Sequence, residues 1–143
     1  MGMFEFLGNV GAKLFGKGKN EAEEIEKLLN KDLAGKIQGL KVEFKVDTAT
    51  LTGSCDSHAT REKAVLLAGN IEGVRRVNDM LTSPPVTEPT VFYTVKKGDS
   101  LSKIAKAVLG DATKWPKLFE ANKEVIKNPD LIYPGQQLRI PKA

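Results

Sequence analysis

Residues 93–110, YTVKKGDSLSKIAKAVLG, predict a strand, a tight polar turn and a helix in direct succession. Ser100 follows the turn at the N-cap position, where its hydroxyl can accept a hydrogen bond from the first helical turn. Leu101, Ile104 and Val108 then recur at the spacing of one helix face. This stretch sets the fold of the C-terminal part of the chain.

The rest of the C-terminal part completes a β-α-α-β order. A second helix follows GDATKW, with Pro116 tolerated in its first turn, and the strand QLRIP returns after NPDLIYPG. The blocks YTVKKGDSLSKIA, LFEANK and NPDLIYPGQQLRIP have the order and distances of the LysM family. Over residues 92–142 the chain therefore resembles a LysM domain.

The LysM resemblance implies binding of polymers that contain N-acetylglucosamine, such as peptidoglycan or chitin, in a shallow groove between two loops. One loop follows the first strand and the other precedes the last strand. The groove residues implied by the resemblance are Gly98, Asp99, Ser100, Leu101, Asn128, Pro129, Asp130, Leu131 and Ile132. The alternative interpretation is structural, because Asp99 and Ser100 can cap the helix. Trp115 and Tyr133 are interpreted as packing residues.

The front part of the chain alternates helices and strands in the order α-β-β-α-β. Asn20 precedes an apolar stripe at helical spacing, and LKVEFKV alternates apolar and charged residues as a half-buried strand does. A short strand ATLTG, a helix over 57–68 and a strand containing Val74 and Val77 complete the series. The pattern LTGSCDS…A…AGNIEGVRRVNDML resembles the BON domain, a small α/β module of bacterial periplasmic, outer-membrane and stress proteins that is suspected of binding phospholipid or other ligands.

The first segment predicts an amphipathic helix. Met3, Leu7, Val10 and Leu14 recur at spacings of four, three and four, which aligns them on one helix face. Three interpretations stay open: the segment caps the core of the next domain, lies on a membrane surface, or covers a bound ligand.

Together these patterns predict an α+β protein of two small domains preceded by an N-terminal amphipathic helix. The predicted limits are 1–19 for the amphipathic segment, 20–82 for the BON domain, 83–91 for a proline-containing linker and 92–143 for the LysM domain. Prolines favour extended, semi-rigid backbone in such a linker. We expect a monomer, and contact between the BON and LysM domains is a further hypothesis.

Composition excludes several classes of site. The chain has 143 residues, a net charge of +4, one cysteine and one histidine, so neither a disulfide framework nor a four-ligand Cys/His zinc site can form within it. The closeness of Cys55 and His58 in sequence does not establish the geometry of nucleophilic catalysis. We predict neither an enzyme nor a nucleic-acid partner. No export signal or membrane span is apparent, so we expect a cytoplasmic protein.

The whole chain, from MGMFEF through both domains, resembles the bacterial cytoplasmic potassium-binding proteins. That resemblance implies a soluble K⁺ binder and sensor that becomes more compact when the ion is bound. Potassium is held well by several neutral oxygens, as in the carbonyl rings of potassium channels. Dense carboxylates would favour divalent ions instead, and no such cluster is apparent.

Backbone carbonyl groups are therefore the predicted potassium ligands. The helix that ends near Ala68 leaves unpaired carbonyls at its negative end, and glycines in AGNIEGV permit the chain to turn them inward. The segment LGNVG can add carbonyls from the other side. The candidates are the backbone oxygens of Leu7, Val10, Gly69, Ile71 and Val74, with Asn70 as an addition.

Alternatives remain at two levels. AGNIEGV can instead be an ordinary helix stop before a strand. The protein as a whole can be a glycan-binding module, or a membrane-associated stress protein that binds anionic lipid through residues 1–19.

Overall fold

The computed structural model describes residues 2–6, 8, 20–84 and 91–141. The chain divides into two compact units, Met1–Thr87 and Glu88–Ala143, named here the front unit and the tail unit. The predicted α+β protein of two small domains is confirmed. The exact predicted limits, including the linker over 83–91, stay a prediction, and residues 85–90 lie outside the described set.

The front unit combines one four-stranded sheet with two helices. The elements are β1 (Gly2–Glu5), α1 (Glu21–Asp32), β2 (Ile37–Lys45), β3 (Thr48–Cys55), α2 (His58–Gly69) and β4 (Arg76–Thr82). The strands lie in the order β1-β4-β3-β2. Strands β3 and β4 are parallel and are connected through α2, whereas the other two pairs are antiparallel.

One face of this sheet forms the core of the front unit. Burial alternates along β4, and Val77 and Leu81 are at most 1% exposed. Leu51 of β3 and Leu29 of α1 are fully buried as well. Helix α1 begins as predicted, because the side chain of Asn20 accepts a hydrogen bond from the Glu23 N–H at 3.1 Å.

The predicted N-terminal helix is wrong for residues 2–5, which form strand β1. This strand pairs antiparallel with β4, so that Met3 lies opposite Asn78 and Phe4 opposite Val77. Met3 is 54% exposed and Phe6 is 8% exposed, which is the two-residue alternation of a strand. An aromatic-rich stretch suits a half-buried strand, and the edge of β4 supplies its backbone partners. Residues 9–19 of the predicted helix lie outside the described residues.

The tail unit has the predicted β-α-α-β order. Its elements are β5 (Val91–Thr94), α3 (Leu101–Leu109), a 3₁₀ turn (Ala112–Lys114), α4 (Trp115–Ala121) and β6 (Gln137–Ile140). Strands β5 and β6 pair antiparallel. Ser100 caps α3 as predicted, accepting a hydrogen bond from the Lys103 N–H at 3.2 Å.

A single asparagine ties α4 to β6 inside the tail unit. Asn122 is fully buried. Its side-chain amide donates to the carbonyl oxygens of Leu118 at 2.9 Å and Arg139 at 2.8 Å, and its oxygen accepts from the Arg139 N–H at 2.8 Å. Because these bonds satisfy backbone groups of both elements, Asn122 fixes β6 against the helix and thereby orders the loop between them.

Candidate functional site

The first candidate site is the turn that follows α2, named here the post-helix turn (residues 69–75). Helix α2 closes with the Asn70 N–H donating to the Leu66 carbonyl at 2.9 Å. Ile71 and Val74 are both fully buried. These two residues of the turn therefore lie inside the front unit, at the negative end of the α2 dipole, whereas Gly73 and Arg75 are exposed.

The first segment lies against this turn. The Phe6 N–H donates to the Arg75 carbonyl at 2.8 Å, and the Gly73 N–H donates to the Gly8 carbonyl at 2.8 Å. Two candidate ligands, Leu7 and Val10, lie outside the described residues. The contacts of Phe6 and Gly8 with the post-helix turn are those that the described residues show.

The carbonyl oxygens of the turn differ in the hydrogen bonds that they accept. The Ile71 oxygen accepts a hydrogen bond from the Val74 N–H at 3.1 Å, which uses one of its two lone pairs. Among the described residues, no backbone N–H donates to the oxygens of Gly69 or Val74 outside helix and strand pairing. The Asn70 side chain is 8% exposed and has a partner of its own. Neutral oxygens are thus the ligand type that this turn offers to a cation.

Side-chain metal ligands do not gather in the described part of the chain. Within those residues, no three His, Cys, Asp or Glu side chains are placed to hold one ion.

The second candidate site is a groove of about 370 Å³ on the tail unit, named here the tail groove. The structure brings the two predicted loops together there. Its lining residues are Asp99, Ser100, Leu101, Ser102, Trp115, Pro129, Asp130 and Ile132. The predicted groove residues Gly98, Asn128 and Leu131 are not among them. Asn128 instead shapes its loop, since its side-chain oxygen accepts a hydrogen bond from the Asp130 N–H at 2.9 Å.

Asp99 is already engaged in holding the first loop. Its carboxylate accepts hydrogen bonds from the Tyr93 hydroxyl at 2.7 Å and from the Lys96 N–H at 2.8 Å. The Tyr93 hydrogen bond is the main cause that lowers the pKa of Asp99, and the Lys96 N–H lowers it further. The same hydrogen bond raises the pKa of Tyr93. Both hydrogen bonds end on the same oxygen, Oδ2, so the structural role of this carboxylate is well defined.

Sequence analysis missed two lining residues of the tail groove. Trp115 was interpreted as a packing residue, but its side chain is 38% exposed and lines the groove. Ser102 was not considered. The N-cap Ser100, two residues earlier, is the sequence signal that could have identified Ser102 as part of the same polar helix start. No local pattern could place Trp115, because its position depends on how α4 packs beside the second loop.

The Cys55 and His58 pair does not have the geometry of a nucleophile and its base. Cys55 is buried, and burial raises the pKa of its thiol to about 11, so the thiol is protonated at neutral pH. The ring of His58 contacts the Ser83 hydroxyl and the Glu62 carboxylate, each at 3.4 Å. These contacts favour the sequence interpretation that this pair is not catalytic.

None of the described helices combines the length and the apolar character needed to cross a bilayer.

Comparison with known families matches both halves of the chain. Residues 19–85 match the BON domain and residues 93–141 match the LysM domain. The post-helix turn falls within the first match and the tail groove within the second.

Comparison with individual proteins includes a relative that aligns over almost the whole chain. The potassium binding protein Kbp of Escherichia coli O6:H1 is 38% identical over 148 aligned positions, which cover 99% of each chain. An uncharacterized protein of Deinococcus radiodurans is 37% identical over 66% of this chain and 41% of its own length. The endolysin of Bacillus phage B103 is 40% identical over 56% of this chain and 27% of its own length. The chain therefore belongs to the family of two-domain proteins, a BON domain followed by a LysM domain, that includes the E. coli potassium binding protein Kbp.

Proposed function

We propose that this protein binds K⁺ in the cytoplasm through backbone carbonyl oxygens of the post-helix turn and the first segment, and that it becomes more compact when the ion is bound. The observation that carries the proposal is the full-length relationship to a potassium binding protein. A conserved domain order over the whole chain makes transfer of the ligand class reasonable, whereas either domain alone would not.

The geometry of the front unit supports the same ligand class. The candidate oxygens of Gly69, Ile71 and Val74 belong to buried residues at the carbonyl end of α2 and in the turn that follows it. Leu7 and Val10 remain candidates because the described residues on either side of Leu7 reach this turn. The ion would then connect two parts of the front unit, and its preference for the closed arrangement would drive compaction.

The first experiment is a thermal melt of the full chain in KCl and in NaCl at equal ionic strength. An ion that binds only the folded protein stabilises it by about 2.7 kcal/mol when present at a hundred times its Kd. We expect a higher Tm in KCl and a smaller radius of gyration by X-ray scattering. Coincident melts in both salts would contradict potassium binding. A K⁺-specific rise in Tm without a change in radius would contradict only the compaction.

A second candidate function is binding of N-acetylglucosamine polymers in the tail groove. The specific observation behind it is that the two predicted loops meet in one groove with an exposed aromatic ring, Trp115, beside them. An indole ring suits contact with a sugar face, and Asp130 and Ser102 supply polar atoms. Trp115 is the only tryptophan in the chain, so its fluorescence reports this groove directly.

Titration with chitotetraose tests this candidate. We expect a saturable change in Trp115 fluorescence that is equal in KCl and NaCl, because the groove lies in the tail unit and the ion site in the front unit. Absence of any change at millimolar sugar would remove the glycan candidate and leave the potassium proposal untouched.

A further inference from the structure

Phe6 connects the first segment to the post-helix turn by a contact that a side chain on Gly69 would block. The Phe6 side chain is 8% exposed. A Cβ atom built on Gly69 would stand 2.1 Å from two carbons of the Phe6 ring, far inside van der Waals contact. The ring therefore lies directly on the last residue of α2, at the start of the turn.

The missing side chain at Gly69 is explained by this ring and not by backbone geometry. Gly69 is the last residue of α2, and its φ angle is not positive. At a helical position alanine is intrinsically the better helix former. Glycine at this position thus makes room for Phe6.

Two backbone hydrogen bonds flank the ring contact. The Phe6 N–H bonds the Arg75 carbonyl, and the Gly73 N–H bonds the Gly8 carbonyl, each at 2.8 Å. Strand β1 continues this attachment by pairing along β4. The ring, the two bonds and the strand pairing all lie between the same two pieces of chain, so we expect them to form and break together.

We propose that Phe6 is a positioning residue for the ion site: its ring on Gly69 clamps the first segment onto the post-helix turn, and K⁺ binding is coupled to this docking. The proposal rests on the potassium function proposed above and adds the element that closes the site. With the clamp open, oxygens from the two pieces of chain are separated, and the ion has its full ligand set only in the closed form. The apparent Kd then rises in inverse proportion to the closed fraction.

The test is a K⁺ titration of full-length variants, followed by Tm at constant ionic strength. We expect Phe6→Ala to raise the half-saturating K⁺ concentration by about tenfold or more, the result of reducing the closed fraction to a tenth. Phe6→Leu should recover part of the loss because it refills much of the contact. Met3→Ala is the matched control, since Met3 lies in the strand that leads to Phe6 but is 54% exposed, and it should bind K⁺ as the wild type does.

A double substitution identifies the contact itself. Gly69→Ala keeps the backbone carbonyl but places a methyl group against the ring, so it should weaken K⁺ binding in the wild-type background. In the Phe6→Ala background the same change has no ring to meet and should cost little. Such non-additivity is expected of residues in direct contact. Equal losses in both backgrounds would overturn the clamp.

Amide hydrogen exchange of the wild type supplies a readout that does not depend on the variants folding. Addition of K⁺ should slow exchange at the Phe6 and Gly73 amides more than at the α1 amides. Equal exchange of these two amides in K⁺ and Na⁺, or wild-type K⁺ affinity in folded Phe6→Ala, would overturn the clamp while potassium binding stands. Identical melts of the wild type in the two salts would instead refute the potassium function.

Discussion

The candidate sites of the two units use different groups to contact a ligand: backbone oxygens in the front unit and side chains in the tail unit. In the front unit the post-helix turn offers buried backbone oxygens, and its side chains serve mainly to fill the core. In the tail unit the groove offers side chains from two loops and an exposed tryptophan from the start of α4, on a scaffold held by buried Asn122. The first site suits an ion stripped of water, and the second suits a ligand with an apolar face and several hydroxyl groups.

This difference determines how each site responds to substitution. A site made of backbone oxygens keeps its ligand atoms when a side chain is shortened. It is affected only when the backbone moves, and it is therefore sensitive to contacts that position the backbone, such as the Phe6 ring on Gly69. A side-chain site loses a ligand contact with each truncation while its loops keep their shape. The following predictions test whether the two units, and the two kinds of site, are as separate as this comparison implies.

The largest effect is expected for Asn122→Ala in the tail unit. The change removes three hydrogen bonds that a fully buried side chain makes to the Leu118 carbonyl and to the carbonyl and N–H of Arg139. We expect a loss of about 3 kcal/mol in the free energy of unfolding of the tail unit, at about 1 kcal/mol or more for each unsatisfied group. Urea denaturation followed by Trp115 fluorescence measures the tail unit alone.

The control for Asn122→Ala is Asn128→Ala, which removes one hydrogen bond within an exposed loop. It should cost less than about 1 kcal/mol. If Asn122→Ala also abolishes the difference between melts in KCl and NaCl, the two units are not separate and the comparison fails.

The next effect is expected for Asp79→Asn in the front unit. Asp79 is 4% exposed, and its carboxylate accepts hydrogen bonds from Arg61 Nε at 2.9 Å and from the Leu81 N–H at 3.0 Å. Loss of one partner from a buried ion pair is strongly destabilising, and Arg61 can regain some water contact, so we expect about 2 kcal/mol. The measurement is the thermal stability of the front unit in NaCl.

Glu5→Gln is the surface counterpart of Asp79→Asn. Glu5 and Arg76 approach to 3.8 Å, but their side chains are 78% and 52% exposed. Such a pair contributes at most about 0.5 kcal/mol because water screens it. A Glu5→Gln effect as large as that of Asp79→Asn would show that burial is not what makes the inner pair important.

A smaller effect is expected for Trp115→Ala at the tail groove. Since the ring is 38% exposed, stability should change by less than about 1 kcal/mol, whereas chitotetraose affinity should fall about tenfold, or about 1.4 kcal/mol. Calorimetric titration measures the affinity without the tryptophan signal. Leu131→Ala is the control, because Leu131 is 70% exposed and does not line the groove. Unchanged affinity in Trp115→Ala would remove the ring from the site.

The smallest effect is a pH dependence of the tail unit. The Tyr93 hydroxyl lowers the pKa of Asp99 below its ordinary value in the folded protein. The stability that this interaction contributes is therefore present above the unfolded pKa and is lost as pH falls through the folded pKa. Tyr93→Phe should lower the Tm of the tail unit at pH 7, and the difference from the wild type should shrink below about pH 4. A difference that stays constant from pH 7 to pH 3 would contradict this role of Asp99.

Local sequence signals predicted most elements and failed where two periodicities overlap. Caps at Asn20 and Ser100 and the apolar stripes that follow them are properties of short stretches, and they were confirmed. At the N-terminus, Met3 is spaced for a helix with Leu7, while Phe4 and Phe6 alternate as in a strand. Over so few residues the pattern cannot decide, and pairing with β4 made residues 2–5 a strand.

The two candidate sites were predictable from the sequence to different degrees, because only one of them is made of side chains with a recognisable pattern. The loops of the tail groove were identified because their side chains belong to a family pattern, and the structure brings them into one groove. Trp115 was missed, since its exposure follows from the packing of α4 and not from its neighbours in sequence. The carbonyl ligands proposed for the post-helix turn stay a prediction, because every residue carries the same backbone oxygen and no side chain distinguishes them.

By itself, the sequence determined the two domains, their order, the caps of α1 and α3 and the family, because each of these follows from spacing within short stretches or from similarity along the chain. Only the tertiary structure decided that β1 joins the sheet, that the Phe6 ring occupies the space left by Gly69, and that Trp115 lines the tail groove. These are contacts between residues distant in sequence. Their energy comes from complementary surfaces that exist only once both partners are folded, and no local pattern contains that information.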